Sequence, residues 1–184
     1  TSYSFQVVNK NYKTQRLKFK GKGQATKPEV LQRIQREAEI IKAVLATPWR
    51  PTATSLWPLV QPVYGRISST YGLRRYINGE ARKPHSGIDI AVPLGTAVSA
   101  AAEGIVVNTG NYFFSGNTIF LDHGQGMITM YGHLSSIAVQ EGQTVSSGQL
   151  IGRVGKTGRA TGPHLHWAVS LNNTMVDPML FVTR

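Results

Sequence analysis

The stretch Gly162–Leu171, GPHLHWAVSL, decides how the rest of the chain is read. Side chains along an extended strand alternate between faces, so His164 and His166 project from one face while Leu165 points the other way, into apolar packing. Two imidazoles on one strand face can converge on a single small object, a metal ion or a metal with its water. An ordinary polar strand face has the same spacing, so the pair acquires meaning only from partners elsewhere in the chain.

One partner pair stands upstream in PHSGIDIAV, residues 84–92, where His85 and Asp89 are four residues apart and share a face if the segment is extended. Imidazole nitrogen and carboxylate oxygen are good zinc ligands, and a catalytic zinc takes about three protein ligands, leaving a position open. His85, Asp89 and one of the two strand histidines supply that number. A further histidine, His133, follows Tyr131 and Gly132 in MYGHLSSI, read as a strand end. Imidazole titrates near neutrality, so His133 suits proton transfer in amide hydrolysis. No HExxH helix occurs, so the glutamate base of that pattern is absent and histidine must take its place. The fifth histidine, His123 in LDHGQG, is expected to serve a hairpin turn.

These motifs lie in a chain of 184 residues that is 41% hydrophobic, enough for one full-sized domain and a smaller appendage. Net charge is +11, which favours anionic partners, whether nucleic acid, membrane surface or acidic cell-wall polymer. The absence of cysteine excludes disulfides, thiolate metal knuckles and a cysteine nucleophile. No run reaches the roughly 18 apolar residues of a membrane span. Because it opens at Thr1, the sequence is read as a mature or trimmed fragment of something longer, with an additional upstream domain expected.

Three segments are distinguishable. Residues 1–25 alternate polar and apolar positions around Phe5, Val7, Tyr12, Leu17 and Phe19 among many lysines, the pattern of one or two strands at the edge of this domain or left from a preceding one. Residues 26–48 hold a connecting helix over 26–46, with Thr26 and Glu29 as a capping box, an apolar stripe of Val30, Leu31, Ile34, Ala38, Ile41 and Leu45, and a solvated charged face. This helix is expected to cover the β domain away from the metal groove, because Arg33, Arg36 and Lys42 would meet metal and substrate poorly. From residue 49 to 184 short β-branched runs alternate with Gly, Pro, Asn and Ser turns, which predicts a mainly β, antiparallel domain.

Together PHSGIDIAVPLGTAVSAAAEGIVV, GNTIFLDHGQGMITMYGHLS and GQLIGRVGKTGRATGPHLHWAV resemble the M23 (LytM/lysostaphin-type) zinc peptidases, over roughly residues 57–182. The resemblance implies an antiparallel LytM-like sheet and one Zn²⁺ per chain, held by His85, Asp89 and His166. His133 and His164 are the implied catalytic pair. It also implies peptidoglycan stem peptides or cross-links as substrate, a D,D-endopeptidase activity, and a periplasmic or otherwise exported location, with no nucleic acid partner. The resemblance makes Tyr76, in the loop LRRYINGEARKPH, a candidate transition-state or substrate contact, as a tyrosine in that loop is in some relatives; an exposed loop aromatic is the other reading. Arg74, Arg75, Arg82 and Lys83 in that loop would attract stem-peptide carboxylates. Two other readings are a D,D-carboxypeptidase acting through the same site and a non-catalytic amidase activator or cell-wall binding module. Every ligand position is filled, which disfavours the last. A likeness of AAEGIVVNTG and EGQTVSSGQLIGRVG to biotinyl or lipoyl carriers lacks the exposed tip lysine that those carriers modify.

Overall fold

Left-handed backbone positions mark the corners where the chain reverses: Asn78 and Gly79, Gly124 to Gly126, and Asn172 and Asn173 all have positive φ. Asn and Gly adopt this conformation at little steric penalty, and between such corners the β-branched runs pair as hairpins. The computed structural model of the protein describes residues 4, 6–18, 27–52 and 56–183. Phe5, Phe19 and Thr26 lie outside these residues.

The strands are β1 (Thr14–Leu17), β2 (Arg66–Ser69), β3 (Arg74–Ile77), β4 (Glu80–Ala81), β5 (Ile88–Ala91), β6 (Ala97–Ser99) and β7 (Gly104–Tyr112). They continue as β8 (Gly116–Asp122), β9 (Met127–Ile137), β10 (Thr144–Val145), β11 (Leu150–Val154), β12 (Leu165–Leu171) and β13 (Thr174–Val176), and one helix, α1, spans Pro28–Leu45. The main sheet runs β10-β7-β8-β9-β12-β5-β2, with β11 joining β9 to β6 and β13 flanking β12. The ladders of this sheet are antiparallel, as its sequence pattern requires, whereas β1 joins the β3–β4 hairpin in parallel.

Alternation sorts the central strands into two faces. Ile88, Ile90, Ile119, Leu121, Tyr131, Leu165, Trp167 and Val169 fill one face, where Val98, Val145, Ile151 and Val154 from β6, β10 and β11 complete the core. Burying each such aliphatic side chain contributes about 1.5–3 kcal/mol. His123 belongs to this interior, with Nε2 2.7 Å from Thr129 Oγ1 and Nδ1 2.7 Å from Glu103 O. Its turn position does not leave it at the surface.

The opposite face carries Asp89, Gly132, Met130, Ile128, Phe120 and His166, as the cross-strand pairs His166↔Asp89, His166↔Gly132, Phe120↔Met130 and Asp122↔Ile128 require. Helix α1 lies on this same face: Ile41, Val44 and Leu45 pack on Tyr112, Phe120 and Ile128. Its apolar contacts there are with β7, β8 and β9, whereas Asp89 and His166 lie on β5 and β12. The other face carries the larger core cluster, and the helix covers a separate apolar patch on this one.

The helix departs from its sequence reading at its buried stripe and at its charged face. It begins at Pro28, behind an extended Lys27 that makes no side-chain cap bond, and Thr26 of the expected capping box lies outside the described residues. Proline's fixed φ is already helical at the first position, where its missing N–H is no loss. The buried stripe is shifted, because Leu31 is 46% exposed while Val44 packs inward. The charged face is not all solvated either: Glu37 is 8% exposed and bonded to both Arg33 and the β7–β8 turn.

Candidate metal and catalytic site

Strands β5 and β12 pair so that Asp89 stands directly beside His166. His85 precedes β5, in a segment tied back by the Gly72 N–H to His85 O and the His85 N–H to Leu73 O. Three donor atoms meet here. His85 Nε2 is 3.0 Å from Asp89 Oδ1 and 3.2 Å from His166 Nδ1, and His166 Nδ1 is 2.9 Å from Asp89 Oδ1. Among the described residues, His85, Asp89 and His166 are the group able to hold a metal ion.

Two features of the group fit Zn²⁺. Zinc bonds of about 2.0–2.1 Å in tetrahedral directions place ligand atoms about 3.3 Å apart, close to the spacings found. The His85 Nδ1–H donates to Thr70 O at 3.0 Å, which turns the Nε2 lone pair of that tautomer toward Asp89 Oδ1 and His166 Nδ1. Converging lone pairs repel one another unless a cation lies between them. Burial opposes the charge on Asp89, but its hydrogen-bonding contacts with His166 and His85 outweigh it and hold its carboxyl well below the usual range. Burial also pushes His166 down, against the pull of Asp89, which favours the neutral form needed in a ligand.

His164 and His133 stand beside this group, their rings 4.5 Å apart. The Nδ1–H of His164 donates to Gly162 O and that of His133 to Thr157 O, each at 2.8 Å, so both rings keep Nε2 free as a proton acceptor. His164 Nε2 is 3.8 Å from Asp89 Oδ1. Burial lowers the His133 pKa to about 4, with the nearby His164 and His166 adding to the shift and Thr157 opposing it. His133 is thus neutral across the physiological range.

His133 does not stand at a strand end. It lies inside β9 at a bulge: β8 advances two residues from Asn117 to Ile119 while β9 passes three between their partners Leu134 and Tyr131. Its φ is 62°, in the left-handed region. Strict alternation would place His133 with Tyr131 on the core face; the extra residue and the reversed φ turn it toward His164 instead.

Tyr76 is not among the residues brought together. The segment read as a loop is the β3–β4 hairpin, signalled by Asn78-Gly79, and Tyr76 faces away from the site with the Arg16 guanidinium 4.6 Å over its ring. Its neighbour Arg75 faces inward, bonded to Ser69 Oγ at 2.8 Å and 3.6 Å from Asp89 Oδ2. Ser69, Thr70, Thr157 and the Gly162 carbonyl orient the site without a motif of their own. Only the Asn-Gly pair offered a sequence signal for this part of the site.

A carboxylate and two imidazoles converging on one point, with two further imidazoles holding free Nε2 atoms beside them, form a mononuclear metal site of the kind used in hydrolysis. The chain belongs to peptidase family M23, which matches residues 83–178. It is 45% identical over 115 residues to the peptidoglycan DD-endopeptidase ShyA of Vibrio cholerae serotype O1, covering 62% of this chain and 27% of ShyA. It is 43% identical over 117 residues to the DD-carboxypeptidase/endopeptidase Mpg of Neisseria meningitidis serogroup B, covering 64% and 27%. A crystal structure of a zinc-containing peptidase from Vibrio cholerae superposes with a TM-score of 0.62 at 36% identity, over 70% of this chain and 40% of that one. The chain thus spans about a quarter of the length of these curated relatives.

Proposed function

We propose that the protein is a zinc peptidase that hydrolyses D,D-peptide bonds in peptidoglycan cross-links. The observation that carries this reading is the meeting of His85 Nε2, Asp89 Oδ1 and His166 Nδ1 at 2.9–3.2 Å, with His133 and His164 alongside. His85, Asp89 and His166 would hold the ion. A bound Zn²⁺ supplies Lewis acidity, polarising the scissile carbonyl and making a water a better nucleophile at neutral pH.

The remaining steps belong to the chain. The free Nε2 atoms of His133 and His164 take the proton from the attacking water and return it to the departing amine. In its protonated form an imidazole also donates to the developing oxyanion, a contribution of about 2.7–4 kcal/mol for a well-placed donor. The Nδ1–H bonds to Thr157 and Gly162 keep both rings aimed during transfer. Arg75, beside Asp89 Oδ2, restrains that carboxylate and adds positive charge for an anionic stem peptide.

Residues 49–184 are read as the peptidase domain, 26–48 as its connecting helix, and 1–25 as an edge segment. Peptidoglycan as substrate requires an exported protein, and ShyA and Mpg support a cell-envelope, periplasmic setting. Net charge of +11 suits an acidic polymer. Among the described residues, no helix is long and apolar enough to cross a membrane.

Mass spectrometry of purified peptidoglycan digested by the zinc-loaded protein tests the proposal. Endopeptidase action converts cross-linked dimers to monomers. Loss of only the terminal D-alanine would favour the carboxypeptidase reading, which the name of Mpg also supports. An unchanged digest would overturn both.

A further inference from the structure

His133 is held in its left-handed conformation by two bonds: its backbone N–H donates to Ser115 O at 2.6 Å, and its Nδ1–H donates to Thr157 O. A non-glycine residue in this region persists only where its surroundings over-determine it. Both acceptors are joined to the turn between β7 and β8, although the Thr157 hydroxyl also donates to Leu134 O at 2.8 Å. Ser115 belongs to that turn, and Thr157 is fastened to its far end by the Asn117 N–H donating to Thr157 Oγ1 at 2.9 Å. The Arg159 N–H to Phe114 O bond adds a second tie between the two segments.

Helix α1 grips the same turn from outside. Glu37 Oε2 accepts the Phe113 N–H at 2.7 Å, and Glu37 Oε1 accepts Arg33 Nε–H at 2.6 Å. Arg33 Nη2 in turn donates to Asn111 O and Oδ1, both at 3.1 Å, and the Asn111 side chain donates to Asn117 Oδ1 at 2.8 Å. One buried carboxylate therefore fixes both arms of the turn to which the His133 acceptors are joined. Glu37 and Arg33 are four residues apart on the helix, so a single rigid turn of α1 presents both groups together.

We propose that Glu37 is a positioning residue for His133, acting through the β7–β8 turn, so that α1 is part of the apparatus that aims this imidazole. The inference rests on the catalytic role given to His133 above. Glu37 touches neither a metal ligand nor either catalytic ring among the described contacts, so its removal leaves the ligand set intact.

The test compares zinc-loaded parent, Glu37→Ala and Glu37→Gln. Amide hydrogen exchange by NMR should show protection at Phe113 and His133 falling about tenfold or more in Glu37→Ala, while Leu121 and Trp167 in the core keep theirs. On a purified cross-linked muropeptide, kcat should fall about tenfold with KM within about twofold and zinc stoichiometry unchanged. Glu37→Gln retains an acceptor for Phe113 and should recover most of both losses. Deprotection at Phe113 with His133 exchange and kcat at parental values would overturn the proposal. So would a loss of protection spread equally over Leu121 and Trp167, which marks a merely structural helix. If the parent is inert on the muropeptide, the substrate reading fails, and the exchange comparison still decides whether Glu37 holds His133.

Discussion

Replacing His133 by Asn should flatten the acid sensitivity of the metal-free protein by an amount that the site geometry sets. Asn is the conservative choice because it tolerates the left-handed φ of 62° at this position and its side-chain amide can donate toward Thr157 O. His133 is 9% exposed, and burial, the largest cause, lowers its pKa from 6.5 to about 4. The folded state therefore resists a proton that the unfolded chain accepts. Stability is unaffected well above 6.5, falls as pH drops through that value, and levels off below about 4. Between about pH 8 and about pH 5 the two pKa values yield a loss of about 2 kcal/mol from this residue. His166 and His123, also pushed down chiefly by burial, add losses of the same sign in parent and variant alike. Urea unfolding of EDTA-treated protein at the two pH values, for parent and His133→Asn, isolates the difference. The reasoning fails if both proteins lose the same stability within about 0.5 kcal/mol, since His133 would then titrate alike in the folded and unfolded states.

Elemental analysis should find zinc lost from His85→Ala, Asp89→Ala and His166→Ala but retained in His133→Asn and His164→Ala, whose turnover falls by about 10² or more; full occupancy in one of the first three removes that residue from the ligand set. Gly116→Ala should destabilise by about 3 kcal/mol, lowering the melting temperature by about 6–12 °C, because φ is 63° there and a Cβ would overlap Thr157. A variant melting with the parent would refute the close approach of these two segments. Arg50→Ala should cost about 2–3 kcal/mol in denaturant unfolding, since Asp122, whose side chain is 5% exposed, loses the 2.5 Å bond from Arg50 Nε. An effect below about 0.5 kcal/mol would show that the ion pair contributes nothing net.

Much of the site was legible because strand periodicity is a local property. The pair His164 and His166 on one face, with Leu165 in the core, follows from alternation alone, and the His85 to Asp89 spacing follows in the same way once β5 is extended. The antiparallel class was equally readable from turn chemistry. The helix was legible as an element, but not its contact face, because its Arg33–Glu37 pair resembles any solvated charged pair until a turn 76 residues away closes on it.

The sequence by itself determined which residue types could bind a metal and which strand faces carry them, since those depend only on residues a few positions apart. Tertiary structure alone decided that α1 shares the metal face, that Arg75 rather than Tyr76 faces Asp89, and that His133 turns toward His164. The physical reason is plainest at His133. Alternation from Tyr131 assigns it to the core, and only the mismatch of three residues on β9 against two on β8, held by bonds from Ser115 and Thr157, rotates the side chain to the opposite face. A bulge is a property of two paired strands, and neither strand's own sequence contains it.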